Sequence, residues 1–222
     1  MLDIQRTKGI VKIKAILNSS FYELSRAVVS RIPYRPIALE HLYTAQLDCT
    51  PVFLPRDNEG INVRQAETRD VDAICQCCNK RTIFEKRFAK GDICLVAVHE
   101  KNIIGYEWFS IKSSHTEERG FFVLTIPKNA VYAYDAYVKP GYRGKKVFTF
   151  IMNAAVNLTH NMKREKLITR VEKGNNASLI AHKRLGFSII DSNIFIKIYG
   201  KSVFLKCKQP IKWPINKMMD SV

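Results

Sequence analysis

The sequence predicts an α/β protein in which one mixed β-sheet carries helices on its faces. Two observations carry that expectation. Short runs rich in Val, Ile, Phe and Tyr alternate with segments whose apolar residues recur at three- and four-residue steps, the strand and helix signatures. In chain order they read β-α-β-β-β-α-β-α-β-β, and that interleaving implies a sheet covered by helices.

Residues 1–60 read as an extension that is helical in part. Ile10, Ile13, Leu17, Phe21, Leu24 and Val28 recur as on one helical face. Ser20-Phe21-Tyr22-Glu23 has the capping-box pattern, so a fresh helix is expected at Phe21, ending before Pro33. Such a stripe ordinarily packs on a core, and the basic residues beside it also permit peripheral membrane contact. The extension could equally hold an acceptor or a partner copy in a homodimer. DCTPVFLPRDNEG, residues 48–60, is a break rich in turn formers.

From residue 61 the pattern is regular, and residues 61–207 read as one domain followed by a tail, 208–222. INVRQA is a strand, and Thr68 or Asp70 caps a helix through Cys75, Cys77 and Cys78. DICLVAVHE and NIIGYEWFSI are strands joined by a two-residue turn at Lys101-Asn102. HTEERG reads as a polar loop and FFVLTI as a further strand. AVYAYDAYV is a long aromatic strand stopping before Pro140. Helical spacing then runs through Val147, Phe150, Ile151, Ala154, Val156 and Leu158. KLITRV is a strand, NNASLIAHKRLG a helix closed by Gly186, and FSII, NIFIKIYG and SVFLKCK are terminal strands.

Composition narrows the class. No apolar stretch approaches the roughly 20 residues that span a bilayer, and no export signal is visible, so a cytoplasmic location is the default expectation. The six cysteines then read as reduced thiols. The C-x-x-C spacing of Cys75 and Cys78 lacks a second Cys pair or a nearby His pair, so these are read as small helix residues and no metal is expected. The net charge is +16, and residues 138–222 carry 17 Lys/Arg against 4 Asp/Glu. That asymmetry points to a polyanionic partner, such as a phosphate-bearing cofactor, an acidic protein, a membrane surface or a nucleic acid. No helix-turn-helix, finger or aromatic RNA-binding signature supports the last of these.

The excess begins at VKPGYRGKKVF, residues 138–148. A strand that ends in a Gly-containing turn and opens a helix aims unpaired N–H groups at one spot, and the helix dipole adds to the positive potential. Gly144 permits close approach, while Arg143, Lys145 and Lys146 add formal charge. Neither the Walker loop nor the dinucleotide fingerprint is present.

Three motifs in order resemble the GNAT superfamily of N-acetyltransferases over residues 61 to about 200. They are Val63, Arg64, Ala66 and Asp70; then Val138, Pro140, Arg143 and Gly144; then Asn175 and Ser178 followed by Lys183-Arg184-Leu185-Gly186-Phe187. The resemblance implies a mostly antiparallel sheet splayed between AVYAYDAYV and KLITRV. Acetyl-CoA or another acyl-CoA would lie in that cleft, its pyrophosphate on the turn formed by Arg143, Gly144, Lys145, Lys146 and Val147. Backbone groups of Tyr137, Val138 and Lys139 would hold the pantetheine arm as an added strand does, and Asn175 and Ser178 would bind from the following helix.

The family reaction is attack of an amine on the thioester carbonyl, which needs a base, an oxyanion donor and an acid. The tyrosine that often serves as acid is replaced by His182, whose imidazole could supply a proton. The family's strand glutamate has no counterpart among Val131 to Tyr134. Asp135 is the nearest carboxylate, acting as base or tying down an irregular strand, and Glu107 on the hairpin is a second substitute. Lys146 and Phe148 occupy two positions where the family loop carries small residues, so crowding by Phe148 is expected.

The implied function is N-acyl transfer from acyl-CoA to a primary amine on a small metabolite, an amino sugar or a protein. Two alternatives keep the fold. One uses acyl carrier protein, an acidic partner, as donor. The other is a non-catalytic module binding a polyanion.

Overall fold

The computed structural model describes residues 37–50, 60–117, 123–198 and 201–206. The helix expected at Phe21 and the 208–222 tail lie outside these residues. The described elements are β1 (Ile37–Asp48), β2 (Asn62–Gln65), α1 (Val71–Cys75), α2 (Arg81–Ala89), β3 (Ile93–His99), β4 (Asn102–Ser110), β5 (Ser114–Thr116), β6 (Val123–Thr125), β7 (Ala130–Val138), α3 (Val147–Asn161), β8 (Lys166–Glu172), α4 (Asn176–Arg184), β9 (Ser188–Ile198) and β10 (Lys201–Lys206). None of the described helices is long and apolar enough to cross a membrane.

Eight strands form one sheet in the order β10-β9-β1-β8-β7-β4-β3-β2. Every neighbouring pair is antiparallel except β7 and β8, which run parallel. A parallel pair needs a long crossover, and α3 supplies it. Two-residue alternation then sorts the core. Val131 and Ala133 of β7 face α3, packing with Phe150, Ile151, Ala155 and Leu167. Tyr132 and Tyr134 face the other way, into a layer with Ile74 of α1, Phe84 of α2, Tyr106 and Trp108. α4 lies on the β8 end, with Leu179 on Tyr43 and Val171. Helices therefore cover both faces.

The first family motif is a structural clasp. Arg64 of β2 donates from both Nη atoms to Asp70, at 2.8 and 2.7 Å, and Asp70 also accepts the Glu67 N–H at 2.8 Å. The bidentate bond to Arg64 is the main reason that the Asp70 carboxyl is held down at about 2.

The extension boundary at residue 60 is corrected. Residues 37–48 are an interior strand of the same sheet, pairing with β8 on one edge and β9 on the other. Leu42, Tyr43 and Ala45 are buried there. The alternation Leu39, Tyr43, Ala45, Leu47 was the available signal, broken by His41, which is itself buried against Ser192 at 2.7 Å.

Four smaller differences follow. The hairpin turn is Glu100-Lys101, one residue earlier than expected, with both residues left-handed at φ 48° and 69°, the geometry that matches strand twist. Ser114–Thr116 pairs with Val123–Thr125 in a separate ribbon, so the HTEERG loop begins as a strand. The FSII and NIFIKIYG runs are one continuous strand, β9, with a register shift opposite Thr44/Ala45. Helix α2 was not anticipated. One of its two buried positions is Arg87, so its inward face does not read as apolar.

Candidate active site

β7 and β8 pair only where Ala130–Ala133 meet Lys166–Thr169. β7 runs on to Val138 and β8 to Glu172, and these diverging halves wall a cavity of about 340 Å³. On the other edge of β7 the register with β4 slips between Tyr106 and Trp108, leaving Asp135 and Ala136 as a bulge. Asp135 has φ 50°, a left-handed conformation that needs support in a strand.

Support comes from α2 and the residue before it. Lys80 Nζ donates to both Asp135 oxygens, at 2.9 and 3.1 Å, and Arg87 Nη1 donates to Oδ2 at 2.5 Å. Arg87 is held in turn over the rings of Tyr134, Trp108 and Phe84, at 4.9, 5.2 and 5.7 Å. Burial disfavours ionisation of Asp135, but Arg87 and Lys80 outweigh it and keep the carboxyl below its ordinary range. A carboxylate so clamped is a poor proton acceptor, and it stands at the bulge of an irregular strand.

Glu107 is the opposite case. It lines the same cavity, is 1% exposed, and its Oε2 has no hydrogen-bond partner. Burial first, and the nearby Asp135 charge second, push its pKa up to about 8. The sequence ranked Glu107 behind Asp135 because exposure and counter-charges depend on long-range contacts.

His182 and Ser178 are one turn apart on α4 and both line the cavity, with the N-cap Asn175 before them. Asn175 Oδ1 accepts the Ser178 N–H at 3.2 Å, the ordinary capping bond. His182 Nδ1 lies 2.7 Å from the Ser178 carbonyl, which can only accept, so Nδ1 carries the proton. Nε2 is then a bare lone pair, buried and unpartnered among the described residues. Burial lowers the imidazole pKa, opposed only by that carbonyl. His182 is therefore shaped as an acceptor, in contrast to the proton donor expected from the sequence.

The anion turn stands past the far end of β7. Pro140–Tyr142 form a 3-10 turn, Arg143 is extended, Gly144 is left-handed at φ 81°, and Lys146 caps α3 in a left-handed conformation at φ 57°. Lys146 thus holds the left-handed conformation that a glycine adopts without strain, with its charge added. A Cβ on Gly144 would meet nothing within 4 Å, so the turn is open at that point. The first amides of the 15-residue helix α3 face outward there, beside the Lys145 cation. Phe148 does not close the turn: it packs edge-on against His182, ring centres 5.1 Å apart.

The expected backbone cradle is narrower than the sequence implied. Lys139 N–H donates to Ile104 O at 2.8 Å and Tyr137 is in register with Tyr106, so both are taken by β4. By alternation only Val138 turns its groups toward the cleft, and its carbonyl accepts from Arg143 Nε at 3.2 Å. The Val138 N–H is the group left to orient an extended ligand. The cavity thus unites Asp135, His182, Asn175 and Ser178 with Glu107, while Tyr137 through Val147 form a second, adjoining feature. Among the described residues no three His, Cys, Asp or Glu side chains group as a metal set.

Comparison with solved structures finds the same fold. A GNAT-family protein from Novosphingobium aromaticivorans is 11% identical with a TM-score of 0.53, over 77% of this chain and 66% of that one. A Drosophila protein is 13% identical with a TM-score of 0.52 over 74% of this chain, which spans only 53% of that protein's length. A Salmonella typhimurium protein solved with acetyl-CoA is 17% identical with a TM-score of 0.46, over 69% and 98% of the two chains. No curated protein sequence matches the chain. The sequence model of the acetyltransferase (GNAT) family matches residues 56–187, which hold β2 through α4 and therefore both the anion turn and most of the cavity. With more than half its length matched, the chain belongs to the GNAT acetyltransferase family.

Proposed function

We propose that the chain is an N-acyltransferase that moves an acyl group, acetyl foremost, from acyl-coenzyme A to a primary amine by direct attack in a ternary complex. One observation carries the reading: Glu107, buried and with no partner for Oε2 among the described residues, lines the cavity that opens where β7 and β8 part, and burial raises its pKa to about 8. A base is most useful when its pKa is close to the working pH, and Glu107 meets that condition.

The donor supplies a thioester carbonyl. Outward amides at the start of α3, with Lys145 and Lys146, hold its diphosphate, and the Val138 N–H orients the arm. Glu107 takes the proton from the amine as the N–C bond forms and the C–S bond breaks, so the thiolate leaves. His182 Nε2 accepts a hydrogen bond in the cavity and holds a reactant N–H in place.

Thiol release from acetyl-CoA with a panel of primary amines tests the reading, with an acylated carrier protein as a second donor. Coenzyme A at one hundred times its dissociation constant should stabilise the fold by about 2.7 kcal/mol. No thermal shift with any coenzyme A species, together with no thiol release, would remove the proposal.

A further inference from the structure

Phe148, the second residue of α3, reaches from the anion turn to a wall residue of the cavity. The first helical bond of α3 runs from the Phe150 N–H to the Lys146 carbonyl at 3.0 Å, so the N–H of Phe148 is among those that the helix itself does not use. The backbone of Phe148 therefore belongs to the anion turn. Its half-buried ring packs on the core cluster under α3 and meets the His182 imidazole edge-on, ring centres 5.1 Å apart at 60°. His182 lines the cavity, whereas Phe148 does not.

Two further contacts hold that imidazole. Phe187 lies 5.0 Å from it at 79°, and the Phe187 N–H donates to the His182 carbonyl at 3.1 Å. Nδ1 donates to the Ser178 carbonyl at 2.7 Å, with Ser178 Oγ at 3.3 Å. The torsion that turns an imidazole is broad and roughly two-fold, so a single hydrogen bond leaves the ring able to rock. Aromatic contacts on both sides of it restrict that motion. The atom whose direction they set is Nε2, which is buried and without a partner among the described residues. Phe187 follows directly on α4, so Phe148 is the ring contact that refers His182 to another helix.

We propose that Phe148 is a positioning residue for the transfer: its ring holds the His182 imidazole so that Nε2 meets a reactant N–H in the cavity, and its place in α3 ties that aim to the turn that holds the donor. The inference rests on the acyl-transfer reading. It gives donor anchoring and acceptor alignment a shared residue. Alignment is where small displacements are costly, since a misplacement of about 1 Å can lower a rate on the order of 10²-fold. The ring of Phe148 touches neither reactant and acts through His182.

The first readout needs no activity. Long-range ¹H–¹⁵N NMR spectra of the full chain should show a single His182 tautomer, with Nδ1 protonated and Nε2 bare. In Phe148→Ala the two nitrogen shifts should draw together, because the Ser178 bond breaks part of the time and the tautomers mix. The calorimetric heat of coenzyme A binding should be unchanged, since the N–H at 148 remains. The second readout is thiol release from acetyl-CoA with ethanolamine, n-butylamine and 2-phenylethylamine as acceptors. Phe148→Ala should lower kcat/KM for the amine roughly five- to tenfold, mainly by raising its KM. His182→Ala should lower it at least as far, and the double variant no further. Three results each overturn the inference: an unchanged His182 spectrum, a Phe148→Ala loss that persists in full on His182→Ala, or a loss of coenzyme A binding that accounts for the whole effect. Phe148→Leu, which keeps apolar volume without the ring, takes the same tests with the same expected directions should the alanine variant not fold. Mixed tautomers in the variant, with no thiol release to any amine by wild type, would support the ring clamp and remove the transfer reading. Thiol release with additive losses would do the reverse.

Discussion

Asp135 and Glu107 line one cavity, the first clamped by two cations and the second buried with no partner for Oε2 among the described residues. Asp135 is ionised because Lys80 and Arg87 grip it at 2.9 and 2.5 Å, and its charge, added to burial, keeps Glu107 protonated to about pH 8. On the proposed acyl-transfer reading, two carboxyls driven apart in this way take different tasks, one fixing the bulge and the other exchanging a proton.

Activity should report this directly. kcat/KM is expected to rise with pH through about 8 as Glu107 ionises. Glu107→Gln should lower kcat by roughly 10²- to 10⁴-fold with coenzyme A binding retained. Asp135→Asn removes the like charge, so the limb of the pH profile should move to lower pH. A profile limb left in place by both variants would exclude Glu107 as the base.

Stability should respond in the opposite sense. The Glu107 pKa is about 8 when folded and 4.5 ordinarily, so the folded chain binds the extra proton between those values. Its favourable contribution is complete below pH 4.5 and is lost as pH rises through 8. Glu107→Gln should therefore stabilise the fold at pH 8.5 by a few kcal/mol relative to wild type, on the order of what burying one unpaired charge costs. Denaturant midpoints at pH 5 and 8.5 measure this.

His41 makes the acid side steep. Burial first and Lys173 second lower its pKa from 6.5 to about 4. The neutral form is the one that fits the core, so stability present above 6.5 is lost as pH falls through 4. The His41 ring should stay neutral by NMR down to about pH 4. Replacing it by Asn should flatten the loss of stability between pH 6.5 and 4.

Gly105 sets how closely α3 approaches the sheet. A Cβ there would lie 3.0 Å from the Tyr137 carbonyl oxygen and 3.1 Å from Val147 Cγ1. Gly105→Ala should destabilise by about 1–3 kcal/mol through overpacking. Because Val147 is the first residue of α3, it should also displace the anion turn and weaken coenzyme A binding, read by calorimetry.

Much of the fold is legible in the sequence. The aromatic strand β7, the start of α3 at Val147, the Asn175 cap and the Gly186 stop each rest on neighbours within a few residues, and each lies where its pattern indicates. Lys146 and Phe148 departed from the family loop, yet the structure absorbs both, one in a left-handed cap and the other against His182. The weaknesses were of one kind. β1 does not read as part of the sheet because its strand partners lie more than a hundred residues away. α2 is hard to read from sequence because Arg87 fills a core-facing position, where it meets Asp135 and three aromatic rings.

The sequence alone therefore determined the Gly144 turn ahead of α3, most of the strands and helices from residue 61, and membership of a superfamily, since these depend on short-range backbone geometry and residue type. Only tertiary structure decided which cavity carboxyl is clamped by cations and which is buried, which nitrogen of His182 is bare and that β1 joins the cavity wall. The physical reason is that burial and charge pairing, which set protonation, are made by contacts such as Arg87 to Asp135 that no local pattern records.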